Sequence, residues 1–247
     1  MYGPMKNRGP NPQSPNPQSP FLPMNLIAFE TSTPTGGAAL FREGLLEGEM
    51  MIANPQSHSR VCLRYAEQLL AAAGMKWKDL DAVATSHGPG SFTGVRVGLT
   101  LAKGLAWSLR IRTTSVSTLE AIAHNGWSGE AAGHVAALVD ARIGEVYGAL
   151  FRVEEGTLLR ATEDFCVAPE KLAERLPEGP VLFCGEGAAR YFDQHWRGHG
   201  QLARPGGSRC VSWRRGKTFP PRIYVLCICA ILCGGGDLRG ANSSPSR

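Results

Sequence analysis

The chain has 247 residues, 43% hydrophobic and 19% charged, a length that holds one large domain or two small ones with a sizeable core. Its formal net charge of +5 would favour nucleic acid, but residues 1–203 carry 18 Lys and Arg against 20 Asp and Glu, whereas residues 204–247 carry 8 against Asp237 alone. The basic character belongs to the tail, and the body as a whole makes no electrostatic case for direct RNA affinity.

Residues 1–23 contain seven prolines and the direct repeat NPQSP-NPQSP from Asn11. Proline fixes φ and removes a backbone donor, so this stretch reads as a disordered extension, without the apolar run of a signal peptide. The folded chain is expected to start near Met24. Leu26 to Phe29 predicts a buried strand that feeds the polar loop Glu30-Thr31-Ser32-Thr33. Strands over 36–41 and 45–52 follow, joined by a turn at Arg42-Glu43-Gly44. A helix over 57–73 has Val61, Tyr65 and Leu69 on one face and Gly74 as its stop.

Ala82 to Thr85 predicts the next strand, running into a glycine loop at 88–94 and a second helix over 93–109. That helix is apolar on more than one side, with Val97, Leu101 and Leu105 on one face and Leu99, Ala102 and Ala106 beside them, so it is either buried or covered by a partner. Strands over 113–117, 135–139, 146–153 and 181–184 alternate with helices over 118–124, 169–176 and 188–196. An opening meander followed by such alternation implies an α/β fold with a mixed sheet.

From Arg204 the local consistency is lost. An eleven-residue apolar run from Ile223 to Cys233, too short to span a bilayer at roughly 20 residues, precedes three glycines. An out-of-frame C-terminus is the expectation here, with a lineage-specific tail as the alternative. The cysteines (62, 166, 184, 210, 227, 229, 233) form no C-x-x-C pair and give no zinc spacing, and those in the body, widely spaced among apolar residues, read as buried free thiols. Nothing in them requires an oxidising compartment, so a cytoplasmic chain is expected, with no membrane contact.

Three polar loops end predicted strands: Glu30-Thr31-Ser32, Gly88-Pro89-Gly90-Ser91 with Gly94, and Gly185-Glu186-Gly187. Glycines let backbone N–H groups approach a phosphate, so such loops converging would form a nucleotide cleft, although each alone is equally a tight turn. The six histidines (58, 87, 124, 134, 195, 199) show no ligand spacing, and His87 beside the glycine loop is the one to test for a functional contact.

The run GPGSFTGVRVGLTLAKGLA from Gly88 closely resembles the hallmark of the TsaB family, also called YeaZ. Supporting blocks stand in order along residues 24–197: Glu30-Thr31-Ser32-Thr33, His58-Ser59 with its helix, Val116 to Leu119, Asp140 to Tyr147, and Gly185 to Ala188. The resemblance implies an ASKHA (actin/Hsp70/sugar-kinase) fold of two RNase H-like lobes, here over 24–115 and 116–203, the second lobe incomplete, between the extension at 1–23 and the aberrant tail at 204–247.

It implies a non-catalytic partner of the paralogue TsaD, with the TsaE ATPase, in installing threonylcarbamoyl, delivered as an adenylate made by TsaC. The target is the adenosine 3′ of the anticodon in tRNAs reading codons that begin with A, so tRNA is reached through the complex rather than directly. No cofactor is required, and ATP or ADP is an open ligand of the complex. TsaD holds a metal with a His-x-x-x-His pair. His58 would need a histidine at position 62, where this chain has Cys62, so the metal site is expected to be absent. Docking is expected through the two helices, at His58, Val61, Cys62, Tyr65 and Leu69 on the first and Phe92, Val95, Leu99, Ala102, Lys103 and Ala106 on the second, whose small residues (Ala66 among them) permit close helix approach. Without the partner, a homodimer and a monomer both stay open. A stand-alone ATP-dependent enzyme of this fold and a metalloprotease are the competing readings. The second lacks any Ser/His/Asp or Cys/His set.

Overall fold

The computed structural model describes residues 24–53, 58–127 and 133–202. The expectations for the proline-rich extension, for the tail from 204 and for a helix start at Ser57 lie outside the described residues.

Strand β1 (Leu26–Glu30) is buried at every position, as a short apolar run in mid-sheet must be. It pairs antiparallel with β2 (Thr35–Arg42), which pairs antiparallel with β3 (Leu45–Ala53). At the expected turn, Glu43 (φ 52°) and Gly44 (φ 79°) both adopt left-handed backbone, the geometry whose twist matches a two-residue hairpin. Helix α1 (His58–Ala72) leads by way of a 3-10 turn at Trp77–Asp79 to β4 (Ala82–Ser86), and α2 (Phe92–Leu109) leads to β5 (Arg112–Val116). Both strands add in parallel, giving the order β3-β2-β1-β4-β5.

The second sheet repeats this plan. Strands β6 (His134–Asp140), β7 (Val146–Glu154) and β8 (Thr157–Arg160) form an antiparallel meander, while β10 (Val181–Cys184) and β11 (Gly200–Leu202) add in parallel beyond β6. The order is β8-β7-β6-β10-β11, with β9 (Phe165–Val167) paired to β7. Even the tight turn recurs, with Glu155 (φ 49°) and Gly156 (φ 75°) both left-handed between β7 and β8.

Each sheet is covered by helices that bury their smallest or most apolar side. Cys62, Ala66, Leu69 and Leu70 of α1 and Ala102 of α2 pack on Ile27, Phe29, Ala38 and Leu40. Helix α3 (Thr118–Gly126) leaves the first sheet and covers the second, where Leu119, Ile122 and Ala123 meet Val135, Ala137, Val139 and Phe151. Beneath the other face, Ala188 and Phe192 of α5 (Glu186–His195) pack with Leu138, Phe183 and Trp196. The Trp196 indole stacks on Phe183 at 5.5 Å and donates to the Pro169 carbonyl at 2.8 Å.

Several expectations shift. The single helix over 169–176 is a four-residue turn, α4 (Pro169–Leu172), followed by a 3-10 turn at Ala173–Arg175, and the backbone is extended at Leu176, the residue before Pro177, where proline disfavours helix. Helix α5 starts at Glu186, two residues before its expected start. Strands β8, β9 and β11 carry no clear sequence signal: β8 is TLLR with only Leu158 buried.

The lobes are pinned where α3 begins. The Thr118 N–H donates to the Gly88 carbonyl at 2.8 Å, the Thr118 hydroxyl donates to Ser32 Oγ at 3.0 Å, and Arg160 Nη2 donates to Ser117 Oγ at 3.1 Å. The start of the glycine loop, the end of β1 and the second lobe thus share one hydrogen-bonded junction.

Candidate docking face and interlobe cleft

The three loops picked out in the sequence lie at the carboxyl ends of β1, β4 and β10. Glu30 is fully buried, and its Oε1 accepts from the Ser32 N–H and hydroxyl, both at 2.6 Å, and from the Thr33 N–H at 3.2 Å. Burial pushes the Glu30 carboxyl above its ordinary value, against the lowering effect of these donors. His87 is exposed, with Nδ1 3.2 Å from Ser115 Oγ.

Three of the hallmark glycines, Gly90, Gly94 and Gly98, press against protein. A Cβ on Gly90 would overlap the Ser32 carbonyl oxygen, one on Gly94 the Thr31 carbonyl oxygen, and one on Gly98 would stand 2.7 Å from Thr85 Oγ1. The Ser91 N–H donates to the Ser32 carbonyl at 2.7 Å and Thr31 Oγ1 donates to the Gly94 carbonyl at 2.8 Å, so α2 is seated directly on the loop after β1. Gly185 (φ 97°) and Gly187 likewise abut the backbone of Leu138 and Val139 in β6. Backbone meets backbone at Gly90, Gly94, Gly185 and Gly187, and at Gly98 the helix meets the Thr31 and Thr85 hydroxyls, so close packing by itself requires a glycine at each of these positions.

Position 62 is turned inward. Cys62 is fully buried, its Sγ donates to the Gly37 carbonyl at 3.3 Å, and burial pushes the thiol up to about 12. His58 is half-buried with Nε2 3.3 Å from the Thr33 carbonyl. A metal needs a thiolate and a shared opening, and this pair provides neither, so a metal does not fit here. The expectation of buried thiols is met by Cys62 and Cys184 but not by Cys166, the outward-facing middle residue of β9, so when native protein is treated with a thiol reagent at neutral pH and its peptides are weighed, Cys166 is expected to be labelled while Cys62 and Cys184 remain intact. Labelling of Cys62 at the rate of Cys166 would contradict this placement.

Glu186 at the head of α5 sits among charges. Burial and then the Asp140 carboxylate push its carboxyl up to about 7, with Arg142 and Arg190 opposing. Arg190 also pairs with Asp140. The unfolded carboxyl titrates near 4.5, so between these values the folded chain holds a proton that the unfolded chain has released. This contribution is fully present below about 4.5 and declines as pH rises to about 7. Glu186→Gln is therefore expected to stabilise the chain at pH 8 by on the order of 1–2 kcal/mol while leaving pH 4.5 unchanged. Urea unfolding at both pH values checks it, and an equal shift at the two would contradict it.

The outer sides of α1 and α2 frame an apolar groove of about 650 Å³ lined by Ser59, Leu63, Phe92, Thr93, Arg96, Val97, Thr100, Leu101, Gly104 and Leu105. Phe92 is 70% exposed and Trp107 86%. This corrects part of the expected docking set. Cys62, Leu69, Ala102 and Ala106 lie in the chain's own core, because each helix turns these residues toward the sheet it rests on. His58, Val61, Tyr65, Val95 and Leu99 are half-buried, while Phe92 and Lys103 face solvent. Leu63, Arg96, Thr100 and Trp107 are absent from the expected set. A tryptophan on the same helical stripe as Arg96, Thr100 and Lys103 is the signal that would have found them.

Two lobes built on the same strand order, joined through the loops after β1 and β4, define an ASKHA-type protein. The TsaD family model, tRNA N6-adenosine threonylcarbamoyltransferase, matches residues 53–194. The chain is 39% identical over 164 residues to the tRNA threonylcarbamoyladenosine biosynthesis protein TsaB of Bacillus subtilis, covering 66% of this chain and 71% of that one. It is 34% identical to the TsaB of Escherichia coli, covering 63% and 67%. The solved structure of YeaZ from Pseudomonas aeruginosa superposes with a TM-score of 0.67 at 28% identity, covering 85% of this chain and 93% of that one. The chain belongs to the TsaB (YeaZ) family. No helix among the described residues is long and apolar enough to cross a membrane.

Proposed function

We propose that this chain is the non-catalytic partner of a TsaD-like subunit, and that it docks through the outer faces of α1 and α2. The complex, with a TsaE-like ATPase, installs threonylcarbamoyl on the adenosine 3′ of the anticodon in tRNAs reading codons that begin with A. The relatives' names support the pathway. The observation that carries the partner role is the fate of position 62: its side chain is buried in the core, with no metal pair across the first helix, while the groove beside it is open and apolar. A helix pair that keeps its surface but lacks the metal ligands is suited to binding rather than chemistry. Transfer of threonylcarbamoyl to unmodified tRNA, assayed with the TsaD-like subunit with and without this chain, tests the reading. Strong dependence on the chain is expected. Full activity without it would overturn the proposal.

A further inference from the structure

The first sheet buries a second face, and no described helix contributes to the apolar cluster on it. Leu26, Ala28, Ala39, Phe41, Ala82 and Ala84 lie there, each 3% exposed or less. Helices α1 and α2 rest on the opposite face, against Ile27, Phe29 and Leu40, while α3 and α5 rest on the second sheet. Met24 and Met51 are the apolar side chains at the margin of this face among the described residues. Alternation along β1 and β4 carries Glu30 and Ser86 onto it as well, and both are fully buried. Two methionines are too little to shield a face of that length, and a sheet with parallel strands at its centre needs both faces covered.

The repeated strand order points to the cover. In the second sheet the corresponding face, with Val135, Ala137, Val139 and Phe151, is covered by α3, which is the chain leaving β5 at the edge of the first sheet. Its counterpart is the chain leaving β11 at the edge of the second. We infer that the face of Leu26, Ala28, Ala39, Phe41, Ala82 and Ala84 is the docking site of this chain's own segment beyond Leu202, and that the apolar run 223–233 is the part that fills it. Outside the described residues this is the longest apolar run. Residues 1–23 are broken by seven prolines, and 54–57 and 128–132 are too short. The 20 residues at 203–222 have a fully extended reach of roughly 60 Å, enough to cross from one lobe to the other. Each lobe is then closed by the chain that leaves the other's edge strand.

A photo-cross-linking amino acid in place of Met51, in the full chain, reads what lies on this face. Illumination is expected to attach a peptide from 223–233 of the same copy, with isotope-labelled chain mixed in to tell one copy from two. In thiol labelling of the native wild type, Cys227, Cys229 and Cys233 are expected to react about tenfold or more slowly than Cys166. Leu226→Asp with Ile228→Asp is expected to remove that protection, to lower the unfolding temperature by about 5 °C or more and to raise binding of an apolar dye. Deleting residues 1–23 is expected to change none of these. Capture of residues 1–23, of a second copy or of the described lobes alone would overturn the inference. So would wild-type cysteines of the run that react as fast as Cys166, or a double variant with unchanged stability and dye binding. Should the double variant not fold, the cross-link and the wild-type rates still decide.

Discussion

Gly94→Ala is expected to cost more stability than any substitution on the exposed side of α2. The added Cβ would overlap the Thr31 carbonyl oxygen and come 3.1 Å from its carbon and 3.2 Å from Ser91 Cβ. Nothing flexible lies in the way to swing aside. The obstacle is the backbone of the loop after β1, held to α2 by Ser91 N–H to Ser32 carbonyl (2.7 Å) and by Thr31 Oγ1 to Gly94 carbonyl (2.8 Å). Relief therefore requires α2 to lift, which would strip Ala102 and Ala106 from the core. Overpacking of this kind costs about 3 kcal/mol, which for a chain of this size lowers the unfolding temperature by roughly 6–12 °C. Gly104→Ala on the same helix supplies the contrast. No atom lies within 4 Å of its Cβ position, and alanine is the better helix former by about 1 kcal/mol, so stability should hold or rise. Equal unfolding temperatures for the two variants would show that α2 is not seated as described.

That contrast also explains what was legible in the sequence. The short apolar runs marked the strands that cross the middle of each sheet, because burial on both faces keeps such a strand apolar up to its carboxyl end, where Glu30 closes β1 and Thr85 and Ser86 close β4. Outer strands have no such constraint: β8 exposes three of its four residues and β9 none of its three is fully buried, so composition does not mark them. The hallmark glycines were visible, but not their reason. A glycine that lets backbone approach a phosphate and one that lets a helix approach a strand look identical in a sequence.

The same ambiguity governed α2. With apolar residues on more than one side, its periodicity does not tell which stripe faces inward. The sequence reading assigned Ala102 and Ala106 to a partner because small residues permit close approach. The structure applies that same principle to the chain's own sheet, where Gly94, Gly98, Ala102 and Ala106 form one buried line. Larger residues, Phe92, Val97, Leu101 and Leu105, are thereby left for the groove.

Trp107→Glu should then separate binding from stability. The indole is 86% exposed in the free chain, so losing it removes little buried area, and the unfolding free energy is expected to stay within about 0.5 kcal/mol of wild type. In a complex across α1 and α2 the same ring would be desolvated, and a tryptophan anchor at an interface contributes about 2 kcal/mol or more, some 30-fold in affinity. Phe92→Asp, in the wall of the groove, should act in the same direction, with a smaller margin because the ring already packs under Arg96. Cys62→Ala provides the converse case. It removes a buried thiol from the core and should lower the unfolding temperature, yet leave the affinity of the folded fraction for the TsaD-like subunit close to wild type. Calorimetric titration of each variant into that subunit, beside its thermal unfolding, reads both quantities. If Trp107→Glu binds as tightly as wild type while Cys62→Ala loses affinity at full folding, the partner meets the inner line of the helices after all, and α1 and α2 must part from their sheet to receive it.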